Sequence, residues 1–227
     1  MVKPSASSPA AAAWGLPARR EPRWPASLAV AVAVALTATL PPPFFYGPRW
    51  VLPAIEAVLV VPLTVAAPYR HRDEHRAVRW LSLSFIAVVE LANLVSLGLL
   101  IDAILRGTTT SGRELILSAI QIYVTNILVF ALWYWELDRG GPGGRLLADH
   151  RQPDFLFPQM VTPESAPPDW SPSFVDYLYV SFTDATAFSP TDTMPLTAAA
   201  KVLMLVEAVG ALLTVAVVAA RAINIIK

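Results

Sequence analysis

Long apolar runs, separated by prolines and short polar turns, constrain this chain more than any other feature. A helix crosses the hydrocarbon core when about 20 mostly apolar residues follow one another, and several stretches here meet or approach that length. A water-soluble core is not an alternative for 227 residues of which 55% are hydrophobic and 15% charged, with a mean hydropathy of +0.52. The expected fold class is therefore an all-α, multi-pass integral membrane protein. Net charge is zero and cysteine is absent, so nothing points to a nucleic-acid partner, a disulfide framework or a thiolate metal site.

Five spans are expected. The first, residues 26–40, is rich in Ala and Val and stops at Pro41-Pro42-Pro43, a run that cannot continue a helix. The second covers 50–67, with a bend expected at Pro62. The third covers 78–105, and a Gly- and Thr-rich turn leads into the fourth, 114–137, whose end carries Trp133, Tyr134 and Trp135 as an expected interfacial belt. The fifth covers 197–226. Ahead of them, residues 1–25 read as a disordered basic tail, with a secretory signal as the alternative. Residues 138–172 are rich in Gly and Pro and without periodicity, which predicts a loop with no hydrophobic core of its own. No internal repeat is visible, which counts against transporter folds built from two related halves.

Two spans separate the basic loop 69–79 from the loop 138–172, so both lie on one side of the membrane. With five spans, that side receives twelve of the seventeen basic residues. The positive-inside bias then places it in the cytoplasm together with the N-terminus.

Ionisable residues within spans need a cavity or a partner, since a carboxylate in hydrocarbon costs at least ~2.5 kcal/mol. Glu90 and Asn93 share one face of the third span, Glu56 lies early in the second, and Glu207 lies mid-depth in the fifth. With Gln121 and Asn126 they form either an interhelical hydrogen-bond network or a route for ions or protons. His71 and His75 are four apart, as metal ligands on a helix can be, but four arginines in the same eleven residues favour a loop facing lipid headgroups. Neither a metal nor a cofactor is expected. No nucleophile–base pair, phosphate cradle or paired-carboxylate motif is present, and the chain does not read as an enzyme.

Between the fourth and fifth spans lie a short amphipathic segment, 173–187, and a polar hairpin, 188–192. From Leu178 the sequence runs Leu-Tyr-Val-Ser-Phe-Thr-Asp-Ala-Thr-Ala-Phe-Ser-Pro-Thr-Asp. This segment resembles the pore of tetrameric potassium channels, in which a pore helix, a Thr-Thr-Val-Gly-Tyr-Gly-Asp filter and an inner helix follow one another. Matches fall at Ser181, Thr186, Asp192, Pro195, Thr197, Lys201 and Glu207; departures fall at Ala187, Phe188, Ser189, Pro190 and Thr191. The whole chain is also similar to an uncharacterised bacterial family of multispan membrane proteins that share this pore-like end. The resemblance implies a homotetramer in the cell membrane, a bacterial inner membrane, built around a pore-like module of residues 114–227 behind three N-terminal helices in 26–113. It also implies that the hairpin faces outward, in conflict with the arginine distribution.

Backbone chemistry limits what the hairpin can do. A potassium filter needs glycine at positions of positive φ, where Ser189 and Thr191 carry a Cβ. Pro190 fixes its own φ and pushes Ser189 toward extended geometry, and Ala187 lacks the hydroxyl for an ion site. What remains is a wider lining of Thr186, Ser189 and Thr191 hydroxyls with a ring of Asp192 carboxylates, suited to hydrated cations. Asp192 has the alternative of capping the turn into the fifth span, and Phe188 that of core packing instead of a constriction on the axis. Asp184, inside the short helix, is expected to brace a neighbouring backbone, and Glu207, where the fifth span lines a central pore, to face the axis or a neighbouring subunit. The leading expectation is a cation pathway without a potassium-type filter. A non-conducting structural or regulatory relative and a proton-coupled transporter using Glu90 and Glu207 are the alternatives.

Overall fold

The computed structural model describes residues 21–22, 24–44, 76–107, 111–145, 152–162, 164, 166–167, 170–186 and 192–225. The second expected span, the loop histidines, Ala187 and hairpin residues 188–191 lie outside them. Five helices organise the described residues: α1 (Trp24–Ala38), α2 (Arg76–Leu105), α3 (Gly112–Leu137), α4 (Phe174–Thr186) and α5 (Ala198–Ile225). Three of them, α2, α3 and α5, are long and apolar enough to cross a membrane. At about 1.5 Å per residue α1 is about 22 Å long, short of the ~30 Å hydrocarbon core.

Helix ends follow local chemistry. Ser111 caps α3 by accepting from the Glu114 amide while the Glu114 carboxylate accepts from the Ser111 amide, a reciprocal capping box. Ser173 precedes α4, and its amide and hydroxyl both donate to Asp176 at 2.8 and 2.7 Å. Thr197 caps α5, accepting from the Ala200 amide at 3.3 Å. In the last turns of α1, Thr37 and Thr39 donate back to Ala33 and Ala35 carbonyls, and the prolines end the helix.

Helix α3 is the central element, packed against α1, α2, α4 and α5. All four run antiparallel to it. Trp135, near its C-terminus, meets Glu21 ahead of α1, and Gln121 donates to Thr39 beyond α1 at 2.9 Å. The N-terminal half of α2 contributes Phe85, Ile86 and Val89 to the cluster around Phe130 and Ala131, while its C-terminal half packs Leu97 and Leu100 near Leu115 and Ile122. The start of α2 and the end of α3 therefore lie on one side, as the span count requires.

Described residues of the expected loop 138–172 add to the core of the helices. Phe155, Phe157 and Met160 are buried in the main core, with Phe155 stacked near Tyr134 and Tyr177, and Phe157 near Tyr177 and Trp170. Composition understated this segment because a few aromatics suffice when α3 and α4 supply the opposite wall. A two-residue strand β1 (Phe155–Leu156) pairs antiparallel with β2 (Met194–Pro195), in register Phe155 to Pro195.

The aromatic belt is corrected. Tyr134 and Trp135 are buried and Trp133 half-buried, because the helical period turns Tyr134 into the same inward face as Phe130 and Ile127.

Candidate functional site

Helix α4 begins beside the C-terminal end of α3, where the Phe174 ring lies edge-on to Trp135 with centroids 6.1 Å apart. Two turns on, the Ser181 hydroxyl donates to the Ile127 carbonyl of α3 at 2.7 Å, and Ala185 packs near Tyr123 and Ala211. The chain thus enters between α3 and α5 alongside Phe174 and reaches the level of Ile127. By Met194–Pro195 it is back beside Phe155–Leu156, at the same end where it entered. The intervening Ala187, Phe188, Ser189, Pro190 and Thr191 lie outside the described residues. Thr186, at the end of α4, donates back to the Phe182 carbonyl at 2.8 Å, and Asp192 is exposed.

Behind α4 sits Glu207, fully buried on α5. Its two carboxylate oxygens meet the hydroxyls of Tyr134 from α3 and Ser181 from α4, and the Asn126 amide donates to the Glu207 carbonyl at 3.4 Å. The expectation that Glu207 faces an axis or a neighbouring subunit is corrected: its side chain lies inside one chain and ties three helices together. The protons need counting. Ser181 has one hydroxyl hydrogen and two acceptors within reach, Glu207 Oε1 and the Ile127 carbonyl, so the set closes when the group at position 207 offers one donor and one acceptor.

Gly210 lies one turn beyond Glu207, and a Cβ there would stand 3.3 Å from Asn126 Oδ1. Its role is close approach of α3 to α5, and α5 continues as a helix through it.

Glu90 and Asn93 share the inward face of α2 as expected, both buried, but neither Glu90 oxygen has a hydrogen-bond partner. The interhelical network expected from sequence therefore includes Asn126 and Glu207 and leaves Glu90 out. Gln121 belongs to the far end, bonded to Thr39. Asp184 is half-buried with Oδ2 unpartnered; the backbone it was expected to brace lies outside the described residues.

Sequence reasoning missed a second polar centre, where the loop begins. Asp138, wholly buried, accepts from the Tyr177 hydroxyl at 2.6 Å, the Asp154 amide at 2.7 Å and Arg139 Nε at 3.2 Å. Asp154 in turn accepts from the Arg139 amide at 3.0 Å and the Thr197 hydroxyl at 2.7 Å. Arg145 donates to the Trp135 carbonyl at 2.7 Å and to Glu21 at 3.2 Å, and its guanidinium lies 5.2 Å from the Tyr177 ring centroid. Glu21 also accepts from the Trp135 indole at 3.0 Å and from the Phe174 amide, the first of α4. Positive φ at Arg139 (53°), Gly140 (85°) and Gly141 (84°) folds the chain back to make this possible. The run of glycines after Asp138 was the only sequence signal, and it identifies the turn without naming its partners.

Among the described residues no group of acidic, His or Cys side chains could hold a metal ion. Comparisons with protein-family models, curated proteins and solved structures give no match to this chain.

Proposed function

We propose that this chain is a pore-loop, channel-like membrane protein that assembles as a homotetramer and passes cations without a potassium-type filter. One arrangement supports this reading above the others: a short helix inserted between two long apolar helices, with the chain entering and returning at the same end and a polar sequence, 188–192, between the two. In a membrane this is a re-entrant helix, and four copies around α5 bring Thr186, Ser189, Thr191 and Asp192 to a shared axis. Glu207 then acts behind the pathway, anchoring α4 to α5 and α3, and Asp192, exposed on the single chain, supplies the charge that selects cations.

A second reading has its own support. Beyond the exposed Lys201 the outer face of α5 is apolar, with Val202, Leu205, Val206, Val209, Leu212 and Leu213 exposed. If that face lines the axis, it makes a constriction that sheds water. The protein is then a non-conducting structural or regulatory relative of channels.

Flux of potassium, sodium and chloride into liposomes containing the purified tetramer separates the two. Cation flux that Asp192→Asn weakens supports conduction through the hairpin. A folded tetramer without flux refutes it, and Phe188→Ala then tests for an apolar plug.

A further inference from the structure

At the opposite end from the loop, the first turn of α3 and the last turns of α5 enclose an open cavity of about 460 Å³, lined by Gly112, Arg113, Ile116, Leu117 and Arg221. Three observations bear on what fits there. Its walls are chiefly apolar, and Leu117 is half exposed toward the surroundings of the helix bundle. Two arginines line it from different helices, and the Nε of Arg221 is buried with no hydrogen-bond partner. Among the described residues no acidic side chain lines it: the nearest in sequence, Glu114, has its carboxylate turned back to the Ser111 amide as part of the helix cap. Burying an arginine donor unpaired is costly, so the cavity is incomplete without an acceptor.

We infer that this cavity binds the phosphate of an anionic phospholipid, Arg113 and Arg221 holding the headgroup while the acyl chains lie along Ile116 and Leu117. The ends of membrane-crossing helices stand at headgroup level, where such a lipid is already present at high concentration. A planar guanidinium offers paired donors to phosphate oxygens. The apolar wall explains why a lipid suits the site better than a free ion: only a lipid covers Leu117 while its headgroup reaches both arginines. The proposal does not depend on whether the protein conducts.

The test uses the full-length protein purified in a neutral detergent and exchanged into nanodiscs containing phosphatidylcholine with a minor fraction of phosphatidylglycerol. Native mass spectrometry reads the lipid retained, and the melting temperature reads its effect. Wild type is expected to retain phosphatidylglycerol preferentially and to be stabilised by it. Each basic residue near a charged headgroup is worth about fivefold, so the double variant Arg113→Gln/Arg221→Gln is expected to lose about thirtyfold in selectivity. Arg113→Lys/Arg221→Lys keeps the charge and most of the selectivity, which guards against a general loss of fold. Arg106→Gln, on an exposed basic residue at the same end paired with Asp102, leaves retention unchanged. Equal retention by wild type and the Gln double variant overturns the proposal. Stabilisation by inorganic phosphate that matches the lipid effect overturns the lipid assignment and leaves a free-anion site.

Discussion

Replacing Glu207 tests the proton count at the centre of the bundle. Glutamine has the same shape but offers a carbonyl acceptor and an amide with two N–H donors, one more than the site uses. Its carbonyl can accept from Tyr134 while its amide donates to Ser181 Oγ, releasing the Ser181 hydrogen for the Ile127 carbonyl. Glu207→Gln is therefore expected to cost less than about 1 kcal/mol. Glu207→Leu fills the volume but removes both contacts and leaves the buried Tyr134 hydroxyl without its acceptor. Side-chain hydrogen bonds between helices in membranes average about 0.6 kcal/mol and reach about 1.7, so two of them imply a loss of about 1–3 kcal/mol. Reversible unfolding of the purified protein in mixed micelles measures both. The cycle with Tyr134→Phe adds a check: the Glu207→Leu/Tyr134→Phe double variant is expected to be about 1 kcal/mol more stable than the sum of single losses predicts. Equal destabilisation by Gln and Leu, or strict additivity in the cycle, refutes the assignment of Glu207 as the tie between α3 and α4.

Arg145→Ala leaves the partly buried Glu21 without its cation and is expected to cost about 3 kcal/mol, more than Glu21→Gln, as read by the same unfolding assay. It also frees the segment ahead of α1, which limited proteolysis followed by mass spectrometry detects as early cleavage near Glu21. Gly141→Ala places a Cβ 2.9 Å from Glu136 Oε2 at a φ of +84°, so a loss of about 1–3 kcal/mol is expected. Gly210→Ala meets only Asn126 Oδ1 at 3.3 Å and is expected to cost under about 1 kcal/mol, whereas Gly210→Val overpacks the α3–α5 contact by about 1–3 kcal/mol, both read by melting temperature. The chain has no cysteine, so a single cysteine placed at Gln152 reports orientation. Labelling only by a membrane-permeant reagent in intact cells places the loop in the cytoplasm, as the arginine count predicts; labelling by an impermeant reagent contradicts it.

Helix positions were legible in the sequence because length, hydropathy and caps are local. The expected 114–137 and 197–226 became Gly112–Leu137 and Ala198–Ile225, and the amphipathic 173–187 became Phe174–Thr186. The pairings were not legible. Glu207 meets Tyr134 across 73 positions and Glu21 meets Arg145 across 124, and neither spacing has a periodic signature. Trp133-Tyr134-Trp135 misled because composition alone suggests a belt, while helical phase, readable from Asn126, Ile127, Phe130 and Tyr134, turns the tyrosine inward. Glu90 was legible as a buried acid on a shared face with Asn93, but its lack of a partner was not.

The pairing of β1 with β2 has a mechanical consequence. It joins the long loop to the stretch just ahead of α5, and Thr197 adds a hydrogen bond to Asp154 at the same seam. Because Asp154 is also held by Arg139, a pull on this loop is delivered to the first turn of α5 and the last turn of α3 together. The loop is in this sense a handle: a force on it reaches the ends of two helices long and apolar enough to cross a membrane at once, without touching the apolar core between them.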